Sequence, residues 1–227
     1  MKENIKKLIS IIQSEPEEKV QEILTAICRG CFDTCLLCAK KEPEIEKMIK
    51  FLADFVSSSL ESIGVIFNTC MDHLLKRSEA VDKVIRYRAC QIIHLIMGHL
   101  PPGEDRIDDD LIQKMITVLS SRFSDKAPNV RVWAIKALSQ LQEEGGEVVK
   151  EISRLMLVDT SKDVRVTAVE RIYFDKDTLP LIIDRIKDVR PEVRIAVFKK
   201  LSSADFSTKK LNRGQKGERI VHVYTYV

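Results

Sequence analysis

The residues best equipped for chemistry stand close together. Cys28, Cys31, Cys35 and Cys38 fall in the stretch CRGCFDTCLLC with the spacing C-x2-C-x3-C-x2-C. Four thiolates around one ion are what a structural zinc site requires, so metal binding is the first chemistry to weigh. If residues 17 to 40 form one helix, the four side chains share a stripe, yet Cys28 and Cys38 lie ~15 Å apart along its axis. Each zinc–sulfur bond spans only ~2.3 Å, so an intact helix cannot wrap them round one ion. Paired C-x2-C knuckles are usually separated by roughly a dozen residues or more, and here the gap is three. Gly30 could break the helix and leaves a compact knot as the alternative. Cysteine also behaves as a small hydrophobe suited to helix seams. Core packing is the expected role, and no cofactor is expected.

Other catalytic groups are dispersed. His73, His94, His99 and His222 do not cluster in the sequence, and neither a G-x-x-x-x-G-K-[ST] phosphate loop nor a G-x-S-x-G elbow occurs. The acidic run EDRIDDD (104 to 110) lacks the spaced oxygen ligands and the glycine of a calcium loop and reads as a solvated acidic loop. The expectation is a protein without enzymatic activity.

The elements that would position such residues are helical. The 227 residues include 44% hydrophobic and 31% charged residues but only eight glycines and seven prolines, a profile that favours an all-α fold. Formal net charge is +3. The positive excess gathers near the end, in Lys199, Lys200, Lys209, Lys210, Arg213, Lys216 and Arg219, so any attraction to nucleic acid must come from local patches. The start, MKENIKKLISIIQ, interrupts its isoleucines with lysines and lacks the apolar core of a signal peptide. No apolar run reaches the ~20 residues that span a bilayer. A soluble intracellular protein with free thiols is expected, with no membrane partner.

Helical rhythm begins early. Val20, Ile23, Leu24, Ile27, Cys28 and Cys31 share one helical face, and Ser14, Pro16 and Glu17 form a capping box before it. Ile45, Met48, Ile49, Leu52 and Val56 repeat the pattern after Pro43.

Further on, four segments align without gaps: IRYRACQII (85 to 93), VRVWAIKAL (130 to 138), VRVTAVERI (164 to 172) and VRIAVFKKL (193 to 201). Each carries an arginine at its second position: Arg86, Arg131, Arg165 and Arg194. In the last three, an aspartate stands six residues earlier: Asp125, Asp159 and Asp188. DKAPNVR, DTSKDVR and DVRPEVR are short polar turns between a helix that ends and one that begins. Helix pairs recurring with arginine spacings of 45, 34 and 29 predict an α-solenoid, in which stacking supplies the core. The pattern resembles HEAT repeats, whose inter-helix aspartate and second-helix arginine form a ladder along the stack. The ladder expected here is Asp125, Arg131, Asp159, Arg165, Asp188 and Arg194.

The expected organisation is a solenoid over residues 1 to 205 and a basic, poorly ordered tail over 206 to 227. In that tail RIVHVYTYV alternates as a solitary strand would. Lys76, Arg77, Lys83, Arg86 and Arg88 cluster around one helix start and Lys40 and Lys41 mark another helix end. Such side chains can meet phosphates with salt-dependent affinity.

VIRYRACQIIHLIMGHLP, RIDDDLIQKM, DKAPNVRVWAIKALSQLQ and DTLPLIIDRIKDVRPEVR, preceded by KKEPEIEKMIKFLADFV, resemble in this order the N-terminal region of the CAP-G family, the non-SMC HEAT-repeat subunits of condensin. The resemblance covers roughly residues 40 to 201, and the segment after Asp205 departs from it. It implies a non-catalytic subunit that binds the kleisin subunit CAP-H, meets the SMC subunits through the kleisin, and clamps double-stranded DNA in mitotic chromosome condensation. The nucleus, chromosomes and cytoplasm are the implied locations. Lys40, Lys41, Lys83, Arg86 and Arg88 are the residues most compatible with the family's DNA contacts. The alternatives are a HEAT scaffold that grips proteins without nucleic acid and a metal-binding protein built on the cysteine cluster.

Overall fold

The computed structural model describes residues 18–39, 42–60, 64–100 and 107–202, together with a few isolated positions before residue 11. Lys40 and Lys41, the capping box at Ser14 and the tail from 206 to 227 lie outside the described residues. Among those described, every regular element is helical. The chain divides into two compact units, Met1–Leu141 and Gln142–Val227.

The first unit holds α1 (Glu18–Leu37), α2 (Pro43–Ser59), α3 (Gly64–Arg77), α4 (Lys83–His99), α5 (Asp109–Ser121), a 3-10 turn (Arg122–Ser124) and α6 (Pro128–Leu138). Local chemistry fixes several starts. Proline opens α2 and α6 where no N–H is needed. The Asp82 carboxylate caps α4 by accepting from the Val84 N–H at 2.6 Å, and Asp108 caps α5 by accepting from Asp110 N–H at 3.0 Å. The described part of the acidic run is a helix start rather than the expected loop: Asp108 is the cap, and Asp109 and Asp110 occupy the first turn, where the helix dipole favours negative charge. Residues 104 to 106 lie outside the described residues.

The core of this unit contains Phe32, Phe67, Met71, Leu74, Ile92, Ile93, Leu119, Phe123, Ile135 and Leu138, all essentially inaccessible. Burying each such side chain contributes about 1.5–3 kcal/mol, and Phe67→Ala would cost about 3–5 kcal/mol. Helix α4 packs most extensively on α6 and also on α2 and α3, so the repeat segment 85–93 is at the centre.

Helix α1 differs from the expected register. Ile23 and Ile27 are 58% and 55% exposed, whereas Cys28, Phe32, Cys35 and Leu36 are buried. The buried stripe is set by the large Phe32 and Leu36, which sequence periodicity over 20–31 did not include.

The second unit holds α7 (Glu147–Val158), α8 (Lys162–Arg171), α9 (Thr178–Asp184), a 3-10 turn (Arg185–Lys187) and α10 (Pro191–Ser202). Gly145 adopts φ 71° before α7, a left-handed conformation that a side chain would strain. Ile152, Met156, Val164, Ala168, Val169, Ile182, Val193 and Val197 form this unit's core, with α8 packed on α7 and α10. The repeat segments fall in α4, α6, α8 and α10, the second helix of each pair. Among the described residues no helix is long and apolar enough to cross a membrane.

Candidate functional site

The repeat arginines use their guanidinium groups in two directions. In the first unit Arg86 Nε and Nη2 donate to the two carboxylate oxygens of Asp125 at 2.6 and 3.0 Å, while Nη1 donates to the carbonyls of Ala80 and Val81 at 2.9 and 2.7 Å. Asp125 also accepts from the Ala127 N–H at 2.9 Å. Burial opposes ionisation of Asp125, but the Arg86 guanidinium and that N–H hold its carboxyl below the usual carboxylate range.

The second unit repeats the arrangement. Arg165 Nε and Nη2 donate to Asp188 at 2.8 and 2.9 Å, and Arg165 Nη1 donates to the Asp159 carbonyl at 2.7 Å. Asp188 accepts from the Arg190 N–H at 2.9 Å. Here too burial opposes ionisation, and Arg165 and the N–H prevail in lowering the carboxyl pKa. Arg131 and Arg194 reach the carbonyls of Asp125 and Asp188 at 2.7 and 2.8 Å. The six-residue offset seen in the sequence is therefore a side-chain-to-carbonyl contact. In the Arg86 and Arg165 pairs the aspartate carboxylate serves the arginine of the preceding copy.

The residues anticipated as DNA contacts are not equivalent. Lys83 is exposed at the first turn of α4. Arg86 has one of its five N–H groups left after its Asp125 and carbonyl bonds. Arg88 must be withdrawn from the set, because it is completely buried. Its Nη1 donates to Glu46 at 2.6 Å and to Gln91 at 2.8 Å, and its Nε to the Cys38 carbonyl at 2.9 Å. Gln91 in turn donates to Glu46 at 3.3 Å. An inaccessible guanidinium satisfied in this way holds α4 to α2 and to the end of α1. A signal was available in the alignment: the positions matching Arg88 hold Trp133, Thr167 and Ala196, and Thr167 and Ala196 are also buried.

Sequence reasoning missed Lys126, Asn129 and Tyr87. They join Lys83 and Arg86 along a groove of about 530 Å³ beside the starts of α4 and α6. The ring of Tyr87 lies 6.4 Å from that of Trp133, centroid to centroid. The turn preceding each repeat helix supplied the signal, since Lys126 and Asn129 both stand in DKAPNVR.

The cysteines lie along one continuous stretch of α1, with Cys38 just past its end. Cys28 and Cys35 are buried, Cys31 and Cys38 half-buried, and all are free thiols. Burial pushes the Cys35 thiol up to about 11. Cys28 shares a hydrogen bond with Cys70 of α3, which lowers the Cys28 thiol and raises that of Cys70. Among the described residues no group of three or more His, Cys, Asp or Glu side chains converges as metal ligands would.

Tandem helix pairs, an arginine near the start of each second helix that bonds back to the turn before it, and carboxylates in the turns define a HEAT-type α-solenoid repeat protein. No protein-family profile matches the chain. Condensin complex subunit 3 of Homo sapiens is 34% identical over 175 residues, which cover 72% of this chain and 17% of that protein. The chain of the S. pombe condensin Cnd3-Cnd2 subcomplex that it matches superposes over 91% of this chain and 27% of its own length, with a TM-score of 0.70 and 28% identity. A chain of the Pds5-Scc1 complex shares the fold alone, at TM-score 0.56 and 14% identity over 91% of this chain. The chain belongs to the condensin complex subunit 3 family, and it spans less than one fifth of the length of the curated relatives it matches.

Proposed function

We propose that this chain acts as a non-catalytic HEAT-repeat subunit of condensin that binds the kleisin CAP-H and double-stranded DNA. The observation that carries this reading is the likeness, over nine tenths of the chain, to a condensin subunit solved with its Cnd2 partner. The SMC subunits are reached through the kleisin, and the work is mitotic chromosome condensation in the nucleus, with a cytoplasmic pool.

Lys83 is the favoured DNA contact, because it is exposed and, among the described residues, no carboxylate lines the groove beside it. Lys126 adds a second exposed cation there. Lys40 and Lys41 remain part of the proposed contact. Such phosphate contacts give an affinity that is indifferent to sequence and falls with salt.

Co-expression with a CAP-H segment tests the kleisin part. Co-purification through a tag on either chain and a single peak in size-exclusion chromatography are expected. A folded chain that never carries the kleisin segment would overturn this reading and leave a HEAT scaffold for other proteins.

A further inference from the structure

The groove beside the starts of α4 and α6 gathers three exposed polar side chains next to Arg86, whereas Lys50 and Lys76, the other exposed lysines of this unit without an ion pair among the described residues, do not line it. Arg77, Arg86, Arg88 and Lys114 each hold a carboxylate: Asp33, Asp125, Glu46 and Asp72. Lys83, Lys126 and Asn129 are exposed and have no hydrogen-bond or ion-pair partner among the described residues. Their floor is apolar, made by Val84, Ala127 and Val130 together with the Tyr87 ring.

We infer that this groove binds an extended acidic peptide segment of a partner protein, with an apolar residue set among its carboxylates. Two ammonium groups select negative charge. The Asn129 amide offers both a donor and an acceptor, which matches the paired C=O and N–H of a peptide backbone. The floor takes an apolar side chain, and about 530 Å³ lies within the range of pockets that hold small ligands. A DNA backbone presents phosphate acceptors and sugars and has no chemistry that needs either the amide's acceptor or an apolar floor. Because Lys83 also serves the proposed DNA contact, an acidic segment and duplex DNA compete for this surface. The inference does not depend on the condensin reading.

The test is selection of a displayed library of random twelve-residue peptides on the full chain. Fluorescence anisotropy of labelled hits follows, against wild type, Lys126→Glu, Asn129→Ala and the remote control Lys150→Glu. Enriched peptides should combine acidic residues with an apolar one. Their affinity should fall by about fivefold or more with Lys126→Glu, by roughly threefold with Asn129→Ala, and stay unchanged with Lys150→Glu. No enrichment, enrichment without acidic residues, or affinities indifferent to the groove substitutions overturns the inference. Duplex DNA titrated on the same proteins separates the two readings: DNA binding that persists while no acidic peptide binds sinks this inference and leaves the condensin proposal standing.

Discussion

Arg165 grips both carboxylate oxygens of Asp188, at 2.8 and 2.9 Å, from 23 residues earlier in the chain. The pair joins α8 to the turn that precedes α10, and its side chains are only 9% and 3% exposed. Arg86 and Asp125 make the same connection in the first unit. These fork-to-fork bonds fix how one repeat turn sits against the next.

Breaking the pair should be costly. Arg165→Ala leaves the buried Asp188 carboxylate with the Arg190 N–H and, at 4.0 Å, the Arg185 guanidinium, and a loss of about 3 kcal/mol, the low end for a broken buried pair, is expected. Urea denaturation followed by circular dichroism measures it. The double variant Arg165→Ala with Asp188→Ala should lose less than the sum of the single changes, and strict additivity would contradict the pairing.

Acid should act through the same carboxylates. Asp125 and Asp188 are held below their ordinary pKa in the folded protein, so their contribution is complete above the unfolded value of about 3.9. It declines as pH falls through that value and is gone below the folded one. Urea midpoints measured from pH 6 to pH 3 should fall at the acid end. Asp188→Asn should lower the plateau and flatten that fall, and an unchanged acid limb would count against the assignment.

Arg88 is a structural residue on this account. Arg88→Ala should destabilise the protein by about 3–5 kcal/mol, because Glu46 and Gln91 lose their buried partner. At a temperature where the variant remains folded, its DNA affinity and salt slope should match those of wild type. A fully stable variant with weakened DNA binding would restore Arg88 to the contact set.

The thiols should react unequally. Burial raises Cys35 to about 11 and Cys90 to about 12, so neither offers much thiolate at pH 8. Cys31 and Cys38, both half-buried, should alkylate first with iodoacetamide, as resolved by peptide mass spectrometry. Uniform rates across all six cysteines would show that the α1 seam is not closed in solution. Stoichiometric zinc in the purified protein would revive the metal reading.

The helical class and the repeat segments were legible because arginine, small residue and apolar residue recur at fixed offsets in IRYRACQII and its three copies. Prolines 43, 128 and 191 marked helix starts that the structure keeps. Partner choice within the ladder was less legible. An offset of six along one chain suggests a local pair, but a carboxylate in a turn can face the neighbouring helix, and Arg165 with Asp188 shows that it does. Arg86 and Arg88 looked alike as cations in one segment. Two residues on a helix subtend about 200°, which puts one guanidinium at the turn and the other in the core. The α1 register was misread because Phe32 and Leu36 outweigh Ile23 and Ile27 once α3 and α2 are in place.

The central claim is tested most directly by anisotropy of labelled duplex DNA titrated with this chain, alone and with a CAP-H segment, at low and moderate salt. The account predicts binding that the kleisin segment strengthens, that weakens steeply with salt, and that charge reversal at Lys83 reduces. A folded chain that binds neither the duplex nor the kleisin segment would contradict it.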